Sequence, residues 1–332
     1  MAMKKFINDP ANLTKELLEG LALCYKGKVK LVSERIVMRA VPKDESKVAI
    51  VTLGGSGHEP ALSGFVGEGM LDASVVGDVF AAPGAPKLLE ALRLLKRDAG
   101  IVLVTLNHDG DRMSATKALR DAEKEGIKVR EIVTHDDIGP GVDADPNEKR
   151  GLAGCIPLYK VIGAAAEEGK SLEEIVDIGE RFNRHIATLA VAMTGCTHPQ
   201  NGEPITVLPD DEMEIGMGQH GEAGGGRTKI LTADETALRM IEPLVKASGV
   251  KSGDTALLII NGVGATTLME MLIVYRKAAQ ILADKGINLT SGACGEYLTV
   301  QEMAGFQMIL CKLDPDHVTY LKAKARTPYW TA

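Results

Sequence analysis

Short apolar segments alternate with longer amphipathic segments along the N-terminal part of the chain. Four apolar runs, rich in β-branched residues, predict strands at 48–53, 73–76, 101–106 and 129–134. Helical periodicity between these runs predicts helices at 86–96 and 112–125. Strands that lack polar alternation are typical of a parallel sheet covered by helices on both faces. The pattern therefore predicts an α/β fold in which ligands bind at the carboxyl ends of the strands.

Two further segments with helical character, 152–168 and 172–193, are expected to close a first domain. A polar, proline-containing stretch follows at 197–211 and is interpreted as a linker between domains or a long surface connection. We therefore expect two α/β domains, 1–196 and 197–332.

The alternation of strands and helices starts again after that stretch. It predicts strands at 212–217 and 255–260 and helices at 233–246 and 266–283. The spacing of Thr232 and Glu235 predicts a capping box at the start of the first of these helices.

Composition and charge narrow the classes of function. The chain has 332 residues with 45% hydrophobic and 25% charged residues, which is enough for a sizeable core. Its 38 Lys and Arg against 45 Asp and Glu give a net charge of −7 and no basic stripe, which argues against nucleic acid as a partner.

The apolar runs are far shorter than the ~20 residues of a spanning helix, and no signal-peptide core precedes them, so we expect a cytoplasmic protein without membrane contact. Five cysteines without a CxxC pair predict reduced thiols and no metal site.

The first candidate ligand loop is GGSGHEP, residues 54–60, directly after the predicted strand 48–53. Pro60 suits the first turn of a helix, because the missing N–H of proline would be unpaired there. A glycine turn before a helix N-terminus would offer backbone N–H donors to an oxygen-rich or anionic ligand. The alternative is a tight turn with an incidental histidine, His58.

A second candidate loop is NHDGD, residues 107–111, after the predicted strand 101–106. It places His108, Asp109 and Asp111 at the carboxyl edge of the same sheet, where a general base is useful. The alternative is an Asx-type turn that caps the following helix. The expected proximity of the two loops favours the functional interpretation of both.

A third candidate loop is the glycine-rich segment 216–227, which contains His220. It formally matches GxGxxG, but no apolar helix follows, so the dinucleotide-binding pattern lacks its context. A neutral imidazole flanked by glycines is approachable and can act as nucleophile, base or ligand. The alternative is a glycine loop with a solvated histidine.

In combination and in order, these motifs resemble a known family. They are GGSGHEP, GFVGEGMLDASVVGDVFAAP, NHDGD, RGLAG, EIGMGQHGEAG and NGVGATTLMEM. Together they resemble the ketose-binding subunit of dihydroxyacetone kinase over essentially the whole chain. The resemblance implies two α/β domains, a homodimer, and an open-chain ketose held as a covalent hemiaminal on His220.

The resemblance also implies roles for residues near that histidine. Asp111 would take the proton from the terminal hydroxyl of the ketose, and His58 would share that role or polarise the same hydroxyl. Gly55, Ser56 and Gly57 would supply donors around the ketose. The chain itself would bind no cofactor or metal. The phosphoryl group would come from ATP or ADP with Mg on a nucleotide-binding partner subunit, or from a phosphotransferase-system protein.

Several positions depart from the family pattern. Leu106 stands where the family has a lysine that contacts a substrate hydroxyl, and Leu53 stands where the family has glycine. The departures suggest an altered ketose preference, such as a four-carbon ketose like erythrulose. The leading hypothesis is a small-ketose kinase subunit. The alternatives are a ketose-binding transcriptional coactivator on the same fold, favoured less because His58 and Asp111 are both present, and a nucleotide-dependent oxidoreductase.

Overall fold

The first of two sheets is built from the N-terminal part of the chain. Its six strands are β1 (Val29–Ser33), β2 (Ile36–Arg39), β3 (Ala49–Ser56), β4 (Ala73–Val79), β5 (Ile101–Leu106) and β6 (Val129–Thr134). This computed structural model describes residues 4–218, 222, 224 and 226–332. The strand order is β1-β2-β4-β3-β5-β6; neighbours among β3 to β6 pair in parallel, and β1, β2 and β4 pair antiparallel.

Helices cover both faces of this sheet. They are α1 (Leu13–Cys24), α2 (Ala85–Leu94), α3 (Asp109–Lys124), α4 (Cys155–Glu168) and α5 (Leu172–Asn183). On β5, Ile101 and Leu103 pack in the cluster with α2 and α3, while Val102 and Val104 pack in the cluster with α1, α4 and α5. Since successive side chains point to opposite faces, both faces of β5 are apolar. The predicted sheet, mostly parallel with helices on both faces, is confirmed.

The second sheet is mostly antiparallel. Its strands are β7 (Ile186–Ala192), β8 (Glu212–Ile215), β9 (Gly226–Lys229), β10 (Thr255–Gly262), β11 (Asn288–Glu296) and β12 (Gly305–Lys312). The order is β11-β10-β12-β7-β8-β9, with β10 and β11 parallel. Helices α6 (Ala233–Ser248) and α7 (Leu268–Asp284) cover one face, and α8 (Pro315–Lys322) packs against α4. On the other face, Leu257 and Ile309 join the cluster of α4, which is buried from Cys155 to Ala166 between the sheets.

The predicted helix at 172–193 is wrong in its second half. Helix α5 ends at Asn183, and Ile186–Ala192 forms β7, a strand inside the second sheet. All seven residues of β7 are buried: one face packs with α6 and α7, and on the other face Ile186 packs with α4 and the Thr188 hydroxyl donates to Asp136. A strand buried on both faces reads as a continuous apolar run, which periodicity cannot distinguish from a buried helix. The division of the chain into 1–196 and 197–332 stays a prediction, while β7 belongs to the second sheet.

The helix expected to begin at Pro60 is also wrong. Turns follow β3, and a single 3-10 turn lies at Ser63–Phe65 before β4. This crossover packs directly against the C-terminal segment: a Cβ on Gly67 or Gly69 would collide with the backbone oxygens of Arg326 or Lys324. Residues 67 and 69 thus pass too close to the C-terminal backbone for a side chain to fit between them.

The elements predicted for the second sheet are found with shifted ends, and the capping box of Thr232 and Glu235 is confirmed at the start of α6. The stretch 197–211 joins β7 to β8 within one sheet. None of the helices in the described part of the chain combines the length and the apolar character that a membrane crossing requires.

Candidate functional site

A cavity of about 580 Å³ opens at the carboxyl ends of β3 and β5. From β3 the chain crosses to β4 on one side, and from β5 it crosses to β6 on the other, so the strand order reverses between β3 and β5. A crevice at such a reversal is the usual ligand site of an open α/β sheet. The loop after β3 and the loop after β5 both line this cavity, as their positions in the sequence predicted.

The end of β3 contributes Gly55 to the cavity wall, and the loop after β3 contributes His58. A Cβ on Gly55 would lie 2.7 Å from the backbone nitrogen of Ala81, so the close approach of the 79–81 turn requires glycine. His58 is 5% exposed, and its Nδ1 lies 2.8 Å from the carbonyl oxygen of Thr299. Because a carbonyl only accepts, Nδ1 carries the proton, and Nε2 carries the lone pair in the neutral ring.

Ser56 and Gly57 have structural partners instead of facing the cavity. The Ser56 hydroxyl is 2.9 Å from the Thr14 hydroxyl on α1. The Gly57 N–H donates to the Glu59 carboxylate at 3.0 Å, and the Gln301 side chain donates to the Gly57 carbonyl at 3.0 Å. These contacts fix the turn that presents His58. The donor role of Ser56 and Gly57 toward a ketose stays a prediction.

Asp111 differs from an ordinary surface carboxylate in its burial, its hydrogen bonding and its pKa. It lies in the first turn of α3, lines the cavity and is 7% exposed. Its Oδ1 has no hydrogen-bond partner among the described residues. Burial raises the pKa of Asp111 from 3.8 to about 7, because the charged form loses its hydration. A carboxylate with a pKa near neutrality can both accept and release a proton under physiological conditions.

The capping alternative for this loop finds no support in the geometry. The N-cap residue of α3 is His108, which makes no side-chain cap hydrogen bond. Instead, its Nε2 donates to the Gly151 carbonyl at 2.9 Å, and Asn107 donates to the Lys149 carbonyl at 2.7 Å. The polar residues before Asp111 therefore hold the neighbouring 147–151 segment, which forms another wall of the cavity.

One wall of the cavity is apolar. It consists of Leu62, Phe80, Leu106 and Leu298. Leu106, the last residue of β5, is 4% exposed and packs in the cluster that contains Leu62. Leucine offers no hydrogen-bond donor, so these side chains can contact a molecule in the cavity only through shape and apolar contact.

The remaining wall includes a residue from a loop of the second sheet. Arg150 and Glu222 line the cavity, and Glu222 belongs to the β8–β9 loop, residues 216–225. His220, predicted to carry the ketose, lies in that loop but outside the described residues. The structure thus brings Gly55, His58 and Asp111 to one cavity, together with Glu222 of the loop whose sequence contains His220.

Thr299, Gln301 and Arg150 were missed as site residues by the sequence reasoning. Thr299 and Gln301 contact the His58 turn across 241 and 244 positions of the chain. Such pairings leave no local pattern in a single sequence. Arg150 stands in the RGLAG motif, but its partners lie elsewhere in the chain.

The described residues contain one group that could hold a metal: Asp314, Asp316 and His317. It lies at α8, away from the cavity. Arg181 donates to both carboxylates, the Asp314 N–H donates to His317 Nδ1 at 3.2 Å, and His317 Nε2 lies 3.2 Å from the Ile178 carbonyl. With these contacts, the three residues and Arg181 form an ion-pair cluster that joins α5 to α8.

Comparison with known proteins identifies the family. Residues 19–329 match the Dak1 domain. The chain is 37% identical over 329 residues to the dihydroxyacetone-binding subunit DhaK of a PTS-dependent dihydroxyacetone kinase 1 from Listeria innocua, covering 99% of this chain and 100% of that protein. It is 33% identical to an L-erythrulose kinase from Pectobacterium atrosepticum, covering 98% of this chain and 56% of that protein.

Among solved structures, a dihydroxyacetone kinase operon co-activator, Dha-DhaQ, superimposes with a TM-score of 0.90 at 32% identity, covering 96% of this chain and 98% of that chain. The family resemblance that the motifs predicted is therefore confirmed. With its two sheets, its cavity at the β3–β5 reversal and its match from residue 19 to residue 329, this chain belongs to the Dak1 domain family.

Proposed function

We propose that this chain is the ketose-binding subunit of a small-ketose kinase. The observation that carries the proposal is the buried Asp111 carboxylate, with an unpartnered Oδ1 and a pKa near 7, in the same cavity as His58. A kinase that phosphorylates a sugar hydroxyl needs a base that can take one proton at neutral pH. The family membership supports the same function.

In the proposed reaction, Asp111 accepts the proton of the terminal hydroxyl of the ketose. That oxygen forms a bond to the phosphorus of the donor, and the bond from phosphorus to the leaving oxygen of the donor breaks. His58 is proposed to share the role of base: with its Nδ1 proton directed to Thr299, its Nε2 lone pair can accept that same proton in place of Asp111. Proton transfer by a positioned side chain contributes typically ~10²- to 10⁴-fold to a rate.

His220 is proposed to hold the ketose as a hemiaminal. A ring nitrogen forms a bond to the carbonyl carbon, and the π electrons of the C=O bond move to the oxygen. The oxygen takes up one proton to become the hemiaminal hydroxyl, and the ring releases one N–H proton. No water is released. Polyols lack an electrophilic carbonyl, so this chemistry selects ketoses over glycerol-like molecules that present nearly the same hydroxyls.

The ketose is dihydroxyacetone or a four-carbon ketose such as erythrulose. Leu106 in the cavity wall and the likeness to an L-erythrulose kinase both support the inclusion of the larger ketose. The chain has no Walker-type motif, so the phosphoryl donor is expected on a partner: a nucleotide-binding subunit with ATP or ADP and Mg, or a phosphotransferase-system protein. The functional unit is expected to be a homodimer.

The proposal is tested by reconstitution. Purified chain with ATP, Mg²⁺ and each of the three- to six-carbon ketoses should give no sugar phosphate until a nucleotide-binding partner subunit is added. Product formed by the chain alone, measured by phosphate-ester chromatography, would show that no partner is needed. Failure of every ketose in the presence of functional partner subunits would contradict the kinase function.

A second candidate is a ketose-binding transcriptional coactivator, because a co-activator of this fold superimposes so closely. Such a protein binds ligand and a regulator without phosphoryl transfer. The cavity of this chain contains both His58 and Asp111, which a ligand sensor does not need for chemistry. Ketose-dependent binding to a regulator without any phosphoryl transfer would favour the coactivator.

A further inference from the structure

Arg150 ties the second sheet to the first beside the cavity. It precedes α4, and its side chain is 17% exposed. Its Nε donates to Asp137 Oδ2 at 2.6 Å, and its Nη2 donates to the Gly216 carbonyl at 3.1 Å. Gly216 is the first residue of the β8–β9 loop. The Arg150 guanidinium therefore contacts both the Asp137 carboxylate, which follows β6, and the backbone at the start of the β8–β9 loop.

The carboxylate partner is itself fixed. The Asp137 side chain is 0% exposed, and its Oδ1 accepts the N–H of Gly139 at 2.8 Å. The Asp137 N–H donates to the Arg150 carbonyl at 3.0 Å, so the two residues are joined through backbone and side chain. The next residue, Ile138, donates its N–H to Thr188 of β7 at 2.9 Å. Arg150 therefore acts from a rigid position between the two sheets.

The start of the loop fits closely around these groups. A Cβ on Gly218 would collide with Arg150 Nη1, and a Cβ on Gly139 would lie 2.7 Å from the Gly216 oxygen. Gly216 has a φ of +89°, which side chains rarely adopt. The Gly218 N–H donates to the Glu222 carbonyl at 2.8 Å, and Glu222 lines the cavity. The path of the backbone at 216–218 thus depends on the guanidinium packed against it.

We propose that Arg150 is a positioning residue for the proposed ketose-binding function: it holds Gly216 and Gly218 at the start of the β8–β9 loop, the loop whose sequence contains His220. The inference rests on that proposed function. The planar guanidinium presents N–H groups in a fixed fork, so two partners are oriented at once. Loss of the guanidinium leaves the buried Asp137 carboxylate unpaired and removes the hydrogen bond to Gly216.

The test compares Arg150→Met and Arg150→Lys with Arg130→Met. Arg130 is an exposed arginine of β6 that pairs with Glu173 and does not line the cavity. Two quantities are measured for each variant. One is the dissociation constant of a dihydroxyacetone or erythrulose adduct by intact mass. The other is the rate of carbethoxylation of His220 by diethylpyrocarbonate, followed by peptide mass, which needs no ketose.

Arg150→Met should weaken the adduct by about tenfold or more, equivalent to ~1.4 kcal/mol, and change the carbethoxylation rate of His220 at least severalfold. Arg150→Lys should retain part of the wild-type adduct affinity and part of the wild-type carbethoxylation rate, because lysine keeps the positive charge but lacks the planar guanidinium. Arg130→Met should match the wild type. If Arg150→Met fails to fold, Asp137→Asn removes the same ion pair with an isosteric side chain, and the same changes are expected of it.

Wild-type adduct affinity and wild-type His220 reactivity in a folded Arg150→Met protein would overturn the positioning role. A wild-type protein that forms no adduct with any short ketose would contradict the proposed function instead. In that case the carbethoxylation rates still decide whether Arg150 positions the loop.

Discussion

The cavity is formed by two regions of different construction. His58 and Asp111 follow central strands of the first sheet, where both faces are packed and the backbone is held by neighbouring strands. The β8–β9 loop joins two four-residue antiparallel strands at the edge of the second sheet. Strand pairing alone cannot fix such a loop, and side chains such as Arg150 and Glu214 hold its ends.

Because of this difference, we expect the first region to supply the groups that react and the second region to position the ketose. The first region buries its reacting groups, and burial raises the pKa of Asp111 to about 7. The second region depends on a few contacts that can be removed one at a time. Substitutions in the first region should therefore change the rate of reaction, and substitutions at the loop ends should change ketose affinity.

The largest effect is expected for Asp111→Asn. If Asp111 is the base, turnover in the reconstituted kinase should fall by at least ~10²-fold while the ketose adduct stays detectable. Asp121→Asn, on the exposed far end of the same helix, serves as the control and should keep its rate. A near-normal rate for Asp111→Asn would assign the catalytic role elsewhere.

The same variant should be more stable than the wild type at alkaline pH. The pKa of Asp111 is raised in the folded state, so the folded protein holds a proton that the unfolded chain releases near pH 4. Stability from this group is therefore lost as pH rises from about 4 through about 7. Asp111→Asn should gain about 4 kcal/mol at pH 8, from ~1.4 kcal/mol for each of about three pKa units, and nearly nothing at pH 4, measured by urea unfolding. A loss of stability at pH 8 would indicate a structural role.

A smaller effect is expected at the other end of the β8–β9 loop. Glu214 is buried and accepts the Gly224 N–H at 2.7 Å, while its ion-pair partner Arg227 is half exposed. Glu214→Gln can keep an acceptor for that N–H, so ketose affinity should fall only about threefold, ~0.7 kcal/mol. Calorimetric titration measures it, with Glu212→Gln as the control. A loss larger than that of Arg150→Met would place the main support of the loop at Glu214.

The smallest effect on function is expected far from both regions. Thr267 and Glu270 form a capping box at the start of α7. Thr267→Ala should cost about 1 kcal/mol of unfolding free energy. Ketose affinity and turnover should stay at wild-type values, and a change in either would show that the second sheet is coupled to the cavity through α7.

The first sheet was largely predictable because its central strands are apolar runs bounded by turn residues, as at β3 and β5. The same rule misassigned β7, whose two buried faces erase the alternation that marks a strand. The β1–β2 hairpin and the edge strands β9 and β11 were missed. The half-exposed residues of β9 and β11, Gly226–Lys229 and Asn288–Glu296, carry little apolar signal, whereas β2 and the likewise missed β12 are mostly buried.

The site was predictable where chemistry follows a strand directly in sequence. His58 and Asp111 are of this kind, Gly55 lies at the end of β3 itself, and strand order alone places the three together. The tautomer of His58 depends on Thr299, 241 residues away, and the role of Arg150 depends on Asp137 and Gly216. Such contacts exist only once both sheets have formed around α4.

The most direct test of the central claim is native intact-mass analysis of the chain with a short ketose, comparing His220→Ala with His185→Ala. His185 lies before β7, and its Nδ1 is 3.3 Å from the Ser248 carbonyl, away from the cavity. We expect wild type and His185→Ala to gain the full mass of one ketose, reversibly and without loss of water, and His220→Ala to gain none. An adduct of the same mass and affinity in His220→Ala would contradict the assignment of His220 as the residue that carries the ketose.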